Sequence, residues 1–317
     1  MAVVMHDFNL VGIVLDYIGL SSCLPFLFSS RYALEAFRMK KKMLRSQESL
    51  FCCRVELIEW AVEMGCPLYI DDRICKYSAK YGYLSVIKWA RKWQLPWSSR
   101  VLIAAIKSGN LEMVMWLHAQ SPPCPGWQST YCCLAAVEER TISMIAYLRS
   151  LCPPCKWDES CCRAASRNGD ISMIFWLRSQ NPPCPFDEVT AMYAAAQGNI
   201  EMLMALRRYL RPPCPWNSTI LQVAVSLSTP RMDLLEWLRD DYDCCPWDES
   251  VCRAASQSNQ IGVLHWLRNR ESEPCPWGAS ACVAAARHGH IHTLQWLRDN
   301  GCPWNSSVSV AAAMQGI

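Results

Sequence analysis

Along most of the chain, apolar side chains recur at spacings of three and four, and short polar turns separate one run from the next. The stretch from Lys156 to Cys184 shows the pattern in full. Asp158 stands where a helix N-cap is needed, and ESCCRAASR follows it. Gly169 predicts a left-handed stop. ISMIFWLRSQ then predicts a second helix whose inward residues are Ile171, Ile174, Phe175 and Leu177. Asn181-Pro182-Pro183 breaks that helix and turns the chain onward. The predicted element is therefore a helical hairpin.

That hairpin recurs. Cys66, Leu95, Cys124, Cys155, Cys184, Cys214, Cys245, Cys275 and Cys302 mark one position per unit, with a period of about 30 residues, in the range of repeat arrays. Trp60, Trp89, Trp116, Tyr147, Trp176, Ala205, Trp237, Trp266 and Trp296 keep the same period. Between them stand alanine pairs such as Ala104-Ala105, Ala164-Ala165 and Ala254-Ala255, small enough for two helices to approach closely. Eight full units span residues 67–302, with half units at both ends. After Asn305 only one helix fits, so its outer face is expected either to cap the array or to take a partner or a second copy.

A single hairpin cannot bury its apolar face, but stacked neighbours can. A buried indole hides ~150–250 Å², a gross gain of roughly 4–6 kcal/mol at ~25 cal/mol/Å². Seven tryptophans hold the second-helix position and seven follow the Cys-Pro turn. The excess of 15 Trp over 7 Phe is thus expected to be architectural, with both rows buried.

Composition narrows the function. The chain is 51% hydrophobic and 19% charged, which excludes a disordered chain. A net charge of +3, from 31 Lys+Arg against 28 Asp+Glu, does not suggest a nucleic-acid binder. Twenty cysteines would suit a secreted disulfide scaffold, yet residues 1–9 carry no Lys or Arg of a secretory signal. The apolar stretch 8–28 contains Asn9, Asp16 and Pro25, and a charge near mid-span costs about 2.5–3.5 kcal/mol. We expect no membrane segment, reduced thiols and a cytoplasmic location.

The repeat resembles the ankyrin repeat. AAIKSGNLEMVMWLHAQ (104–120) and AARHGHIHTLQWLRDNGC (285–302) are similar to that family's A-A-x-x-G-H-x-E-x-V-x-x-L-L-x-x-G-A. The usual Thr-Pro-Leu-His opening is replaced by ESCCR or ESVCR, and the units are shorter than the family's. GCPWN and CPWDE look like the divergent variant found in large DNA viruses of amoebae and some protists, which would imply a host cytoplasm. The resemblance implies an all-α ankyrin-type helical-hairpin solenoid, residues 46–317, built for protein binding on a concave face of first helices and turns.

Residues 1–45 do not follow the repeat. FNLVGIVLDYIGLSSCLPFLFSSRYALEAF (8–37) resembles an F-box: Val14-Leu15-Asp16-Tyr17-Ile18 matches I-L-x-Y-L, Leu24 the following Leu, and Ser30-Arg31 the S-R. The opening Leu-Pro is absent. The resemblance implies docking to a Skp-type adaptor of a cullin ubiquitin ligase through Leu10, Val14, Leu15, Ile18 and Leu24. The alternative is a helical cap that only shields the first hairpin.

Chemistry is sparse. Cys152-Pro-Pro-Cys155 has no second pair at zinc spacing. Adjacent cysteines such as Cys161-Cys162 are expected to point to different sides of a helix. Stacked helices ~8–10 Å apart are too distant for ladder disulfides, which want Cα atoms within ~7 Å. His288, His290 and His292 span a glycine turn, and no phosphate-cradling loop exists. We therefore expect no cofactor, no metal and no enzymatic activity. The polar tips available for a protein target are Lys107, Arg163, Arg167, Arg253 and Arg287, with Arg163, Arg253 and Arg287 forming a possible cationic stripe.

Overall fold

A computed structural model describes residues 72–240, 247–269 and 274–316, together with Val55 and Glu59. These residues are helices and turns, with no strand among them. Two compact units divide the chain at Cys155–Lys156, each taken here by itself. The boundary expected near residue 45 lies outside the described residues.

The first unit holds three hairpins. They are α1 (Arg73–Lys80) with α2 (Leu84–Lys92), α3 (Ser99–Lys107) with α4 (Leu111–His118), and α5 (Thr130–Glu138) with α6 (Ile142–Ser150). The second unit holds five more. These pair α7 (Glu159–Arg167) with α8 (Ile171–Ser179), α9 (Glu188–Ala196) with α10 (Ile200–Met204), α11 (Ser218–Val225) with α12 (Met232–Asp240), α13 (Glu249–Gln257) with α14 (Ile261–Arg268), and α15 (Ala279–Arg287) with α16 (Ile291–Asp299). A π-turn, Ala205–Tyr209, extends α10, and α17 (Ser306–Gln315) follows as a first helix alone. Within each unit every first helix packs on the next first helix and on its own second helix. The architecture is an all-α stack of helical hairpins, as the periodicity predicts.

Local chemistry sets each boundary. The Asp158 carboxylate accepts the Ser160 N–H at 3.0 Å and starts α7. Gly169, at φ +68°, ends it in the left-handed region. There the Asp170 N–H returns to the Ala165 carbonyl at 3.0 Å. Arg140 and Asn259 take the same left-handed conformation where no glycine stands, and the returning bond is kept, as with Gln260 N–H to Ala255 O at 3.0 Å.

The core differs from the expected pattern in one respect. Met173, Ile174 and Leu177 are buried, whereas Phe175 is 39% exposed and Trp176 only half-buried. Trp176 precedes Leu177 by one residue, about 100° round the helix, so the leucine faces the stack and the indole lies on its flank. The same holds for Trp116, Trp237, Trp266 and Trp296; of the described tryptophans in the row only Trp89 is buried. Full burial of both indole rows is therefore corrected to flank packing.

The flank has its own order, and the arginine of WLR makes it. Arg268 lies 4.1 Å over the Trp277 ring and donates to the Cys275 carbonyl at 2.7 Å. Trp277 in turn meets the edge of Trp296, centroids 6.1 Å apart. Arg239, Trp247 and Trp266 repeat the arrangement, as do Arg207, Trp216 and Trp237. In the first unit Arg91 stacks on Trp97 at 4.0 Å and donates to the Leu95 carbonyl at 3.2 Å. The turn rings of Trp97, Phe186, Trp216, Trp247, Trp277 and Trp304 are thus each met by an arginine from the hairpin before, whereas Trp127 meets the edge of His118.

The turn cysteine has a matching role. Cys184 N–H bonds the Leu177 carbonyl at 3.0 Å, while its thiol donates to the Asp158 carbonyl at 3.4 Å. Cys124, Cys155, Cys214, Cys275 and Cys302 donate in the same way to the N-cap carbonyls of Ser98, Ser129, Asp187, Asp248 and Gly278. A small buried S–H donor at this place ties each turn to the first helix before it.

Candidate recognition surface

Counting from each N-cap, the polar residues near the middle and end of the first helices include two rows, one helical turn apart. Arg163, Gln222 and Arg253 hold the fifth position; Lys107, Glu138, Arg167, Gln257 and Arg287 hold the ninth. Arg287 is thus not in register with Arg163 and Arg253. Between those two arginines the fifth position is filled by Met192 and Gln222, so the expected three-arginine stripe is not continuous.

The cations also differ in their partners. Lys107, in the first unit, pairs with Glu138 at 3.1 Å. Arg163 holds Asp187 with a fork of hydrogen bonds, Nε to the carboxylate at 3.1 and 3.2 Å and Nη2 to Oδ2. Asp187 is the N-cap of α9 and completes a capping box with Thr190. Its burial favours protonation, but the bonds from Arg163 and Thr190 prevail and hold the carboxyl below its usual range. Arg167 and Arg287 are exposed at the ends of α7 and α15, and the Arg167 carbonyl accepts from the Gln197 amide.

Arg253 is exposed and makes no ion pair or hydrogen bond with the described residues. It stands on the rim of a groove of about 430 Å³ between α11 and α13. Thr219, Gln222, Ser226 and Gln257 supply polar walls, and Val223 and Ala254 an apolar floor. Nearby, Asp248 is held below the ordinary carboxyl range, chiefly by the Ser250 hydroxyl, with Ser218 and the Arg253 charge assisting against burial.

The cysteines do not follow the expected geometry. Cys161 and Cys162 both reach the turn thiol of Cys184 rather than pointing apart. Adjacent side chains are about 100° apart, so one sulfur set against the helix meets both. Helix-to-helix spacing is not the governing distance, because the partner sits on a turn. The described cysteines are nonetheless free thiols, and no group of described His, Cys, Asp or Glu is arranged to hold a metal. Burial pushes the Cys75, Cys124 and Cys214 thiols up to about 12. His288 and His290 bond the backbone carbonyls of Ala284 and Gln257, each at 3.0 Å.

Leu10, Val14, Leu15, Ile18 and Leu24 lie outside the described residues. Sequence reasoning singled out Arg163 and Arg253 together but missed what separates them, namely the cap residue of the following hairpin. That signal stands in the sequence, in CPFDE at 184–188 against CPWGA at 275–279.

No protein-family model matches the chain, and no curated protein matches it. Among the described residues no helix is long and apolar enough to cross a membrane.

Proposed function

We propose that this chain is a protein-interaction scaffold of ankyrin type, working in a reducing compartment such as the cytoplasm. In this reading the first-helix face selects a protein target. Residues 8–37 dock a Skp-type adaptor, which makes the chain a substrate-recruiting subunit of a cullin ubiquitin ligase. The observation that carries the binding role is the groove around Arg253: an open, polar-walled trough, with an exposed arginine that makes no hydrogen bond or ion pair among the described residues. Such arrays present extended surfaces rather than closed pockets. The free thiols support a reducing compartment. The ligase role rests on the F-box resemblance alone.

Pull-down of a recombinant Skp-type adaptor with the full chain tests the ligase role. Retention of the adaptor, lost on Leu15→Asp, supports it. No retention, or no effect of Leu15→Asp, leaves a plain binding scaffold whose first 45 residues cap the array. In that case their deletion lowers the melting temperature of the array.

A further inference from the structure

We infer that the Arg253 groove is a docking site for an otherwise uncharged segment of a protein partner that carries one Asp or Glu, whose carboxylate takes at Arg253 the place that Asp187 takes at Arg163. The inference rests on the binding-scaffold reading and names the chemistry of its ligand.

The two arginines occupy one register. α7 reads ESCCRAASR and α13 reads ESVCRAASQ, each five residues past an aspartate N-cap, Asp158 or Asp248. No other described first helix has a cation there: Tyr77, Ile103, Leu134, Met192, Gln222, Val283 and Val310 fill the position. At Arg163 the next hairpin supplies the Asp187 carboxylate from its N-cap. At Arg253 the next N-cap is Gly278, which has no side chain. The internal partner is missing by one residue type.

The neighbouring carboxylates do not replace it. Glu249 occupies the space a side chain at 278 would need: a Cβ there would lie 2.7 Å from its Cδ. Its carboxylate accepts the Ser280 hydroxyl. Asp248 accepts the Ser250 N–H at 2.9 Å, the Ser250 hydroxyl, and the Ser218 hydroxyl at 2.9 Å. Both are committed to hydroxyls, while the guanidinium fork, suited to a bidentate carboxylate, stays open.

The surroundings select the ligand. The Asp248 and Glu249 carboxylates beside this one arginine repel a polyanion such as a nucleic acid, which needs several cations along its backbone. A single carboxylate meets that repulsion only once and can be held by the guanidinium fork, as Asp187 is held at Arg163 with Glu159 close by. Thr219 and Gln257 make no side-chain hydrogen bond among the described residues, so the groove offers donors and acceptors for a peptide backbone, over the Val223 and Ala254 floor.

The test is selection of a random peptide library on the full chain, followed by fluorescence anisotropy of the recovered peptides. The inference expects an Asp or Glu at one fixed peptide position. Arg253→Gln, or replacement of that acid by its amide, weakens binding roughly 10- to 100-fold, as for a charged hydrogen bond. Gly278→Asp, whose side chain displaces the flexible end of Glu249 from the space beside 278, also weakens it by supplying the carboxylate internally. Thermal melts check that both variants remain folded. Peptides without a fixed acid, or bound equally by Arg253→Gln, overturn the groove assignment and leave the scaffold reading standing. Recovery of no binding peptide overturns both.

Discussion

The guanidinium of Arg163 crosses from one hairpin to the next to hold Asp187, the residue that caps the following first helix. One ion pair therefore joins two functions, helix initiation and stacking. Arg163→Gln should cost about 1 kcal/mol in urea unfolding, the upper end for a partly exposed pair. Arg253→Gln should stay within about 0.5 kcal/mol, as for surface changes away from such features. The acid side follows from Asp187, whose carboxyl is held below its ordinary 3.8. A depressed carboxyl stabilises above its unfolded pKa and loses that contribution as pH falls through its folded value. The difference between the parent and Arg163→Gln should accordingly shrink below about pH 4, where the unfolded carboxyl also protonates.

The clamp on the turn rings gives a second expectation. Arg268 stacks on Trp277 and bonds the Cys275 carbonyl with the same planar group. Lysine keeps the charge but not the fork or the stacked plane. Arg268→Lys should cost about 1 kcal/mol, read as a lower urea midpoint at unchanged slope. An unchanged midpoint would mean the clamp contributes no stability.

The buried thiols predict alkaline weakening. Burial raises Cys75, Cys124 and Cys214 from an ordinary 9.0 to about 12. A raised pKa means the folded state keeps a proton that the unfolded state has released. Their stabilisation is complete below pH 9 and is lost as pH climbs from there towards 12. Each such group adds a slope of about 1.4 kcal/mol per pH unit in that window. Urea unfolding between pH 7 and 10.5 should show the fall, and Cys214→Ala should flatten it by one group's share. An equal slope in both proteins would contradict the assignment.

Much of the fold was legible in the sequence because its punctuation is chemical. Asp158, Gly169 and the Asn181-Pro182-Pro183 break sit where a hairpin needs a cap, a left-handed residue and a stop, and the structure uses the first two as read. What escaped the reading depends on direction rather than spacing. Phe175 fits a spacing of four from Ile171 yet faces outward, because Met173 completes the inner layer with Ile174 and Leu177. The spacing of WLR gives its arginine no role, and only three-dimensional placement sets it over the turn ring. The surface was half legible. Arg163 and Arg253 stood out as cations, but their difference is written about 24 residues downstream, at Asp187 and Gly278, a span that a single-helix reading does not cross.

The most direct test is a double-mutant cycle on Gly278→Asp and Arg253→Gln, measured by urea unfolding of the full chain. If Arg253 occupies a pairing position vacated at Gly278, aspartate at 278 should couple favourably to the arginine by about 0.5–1 kcal/mol. The coupling should have the same sign as that of Arg163 with Asp187. A coupling indistinguishable from zero, with the native Arg163 pair showing one, would contradict the account.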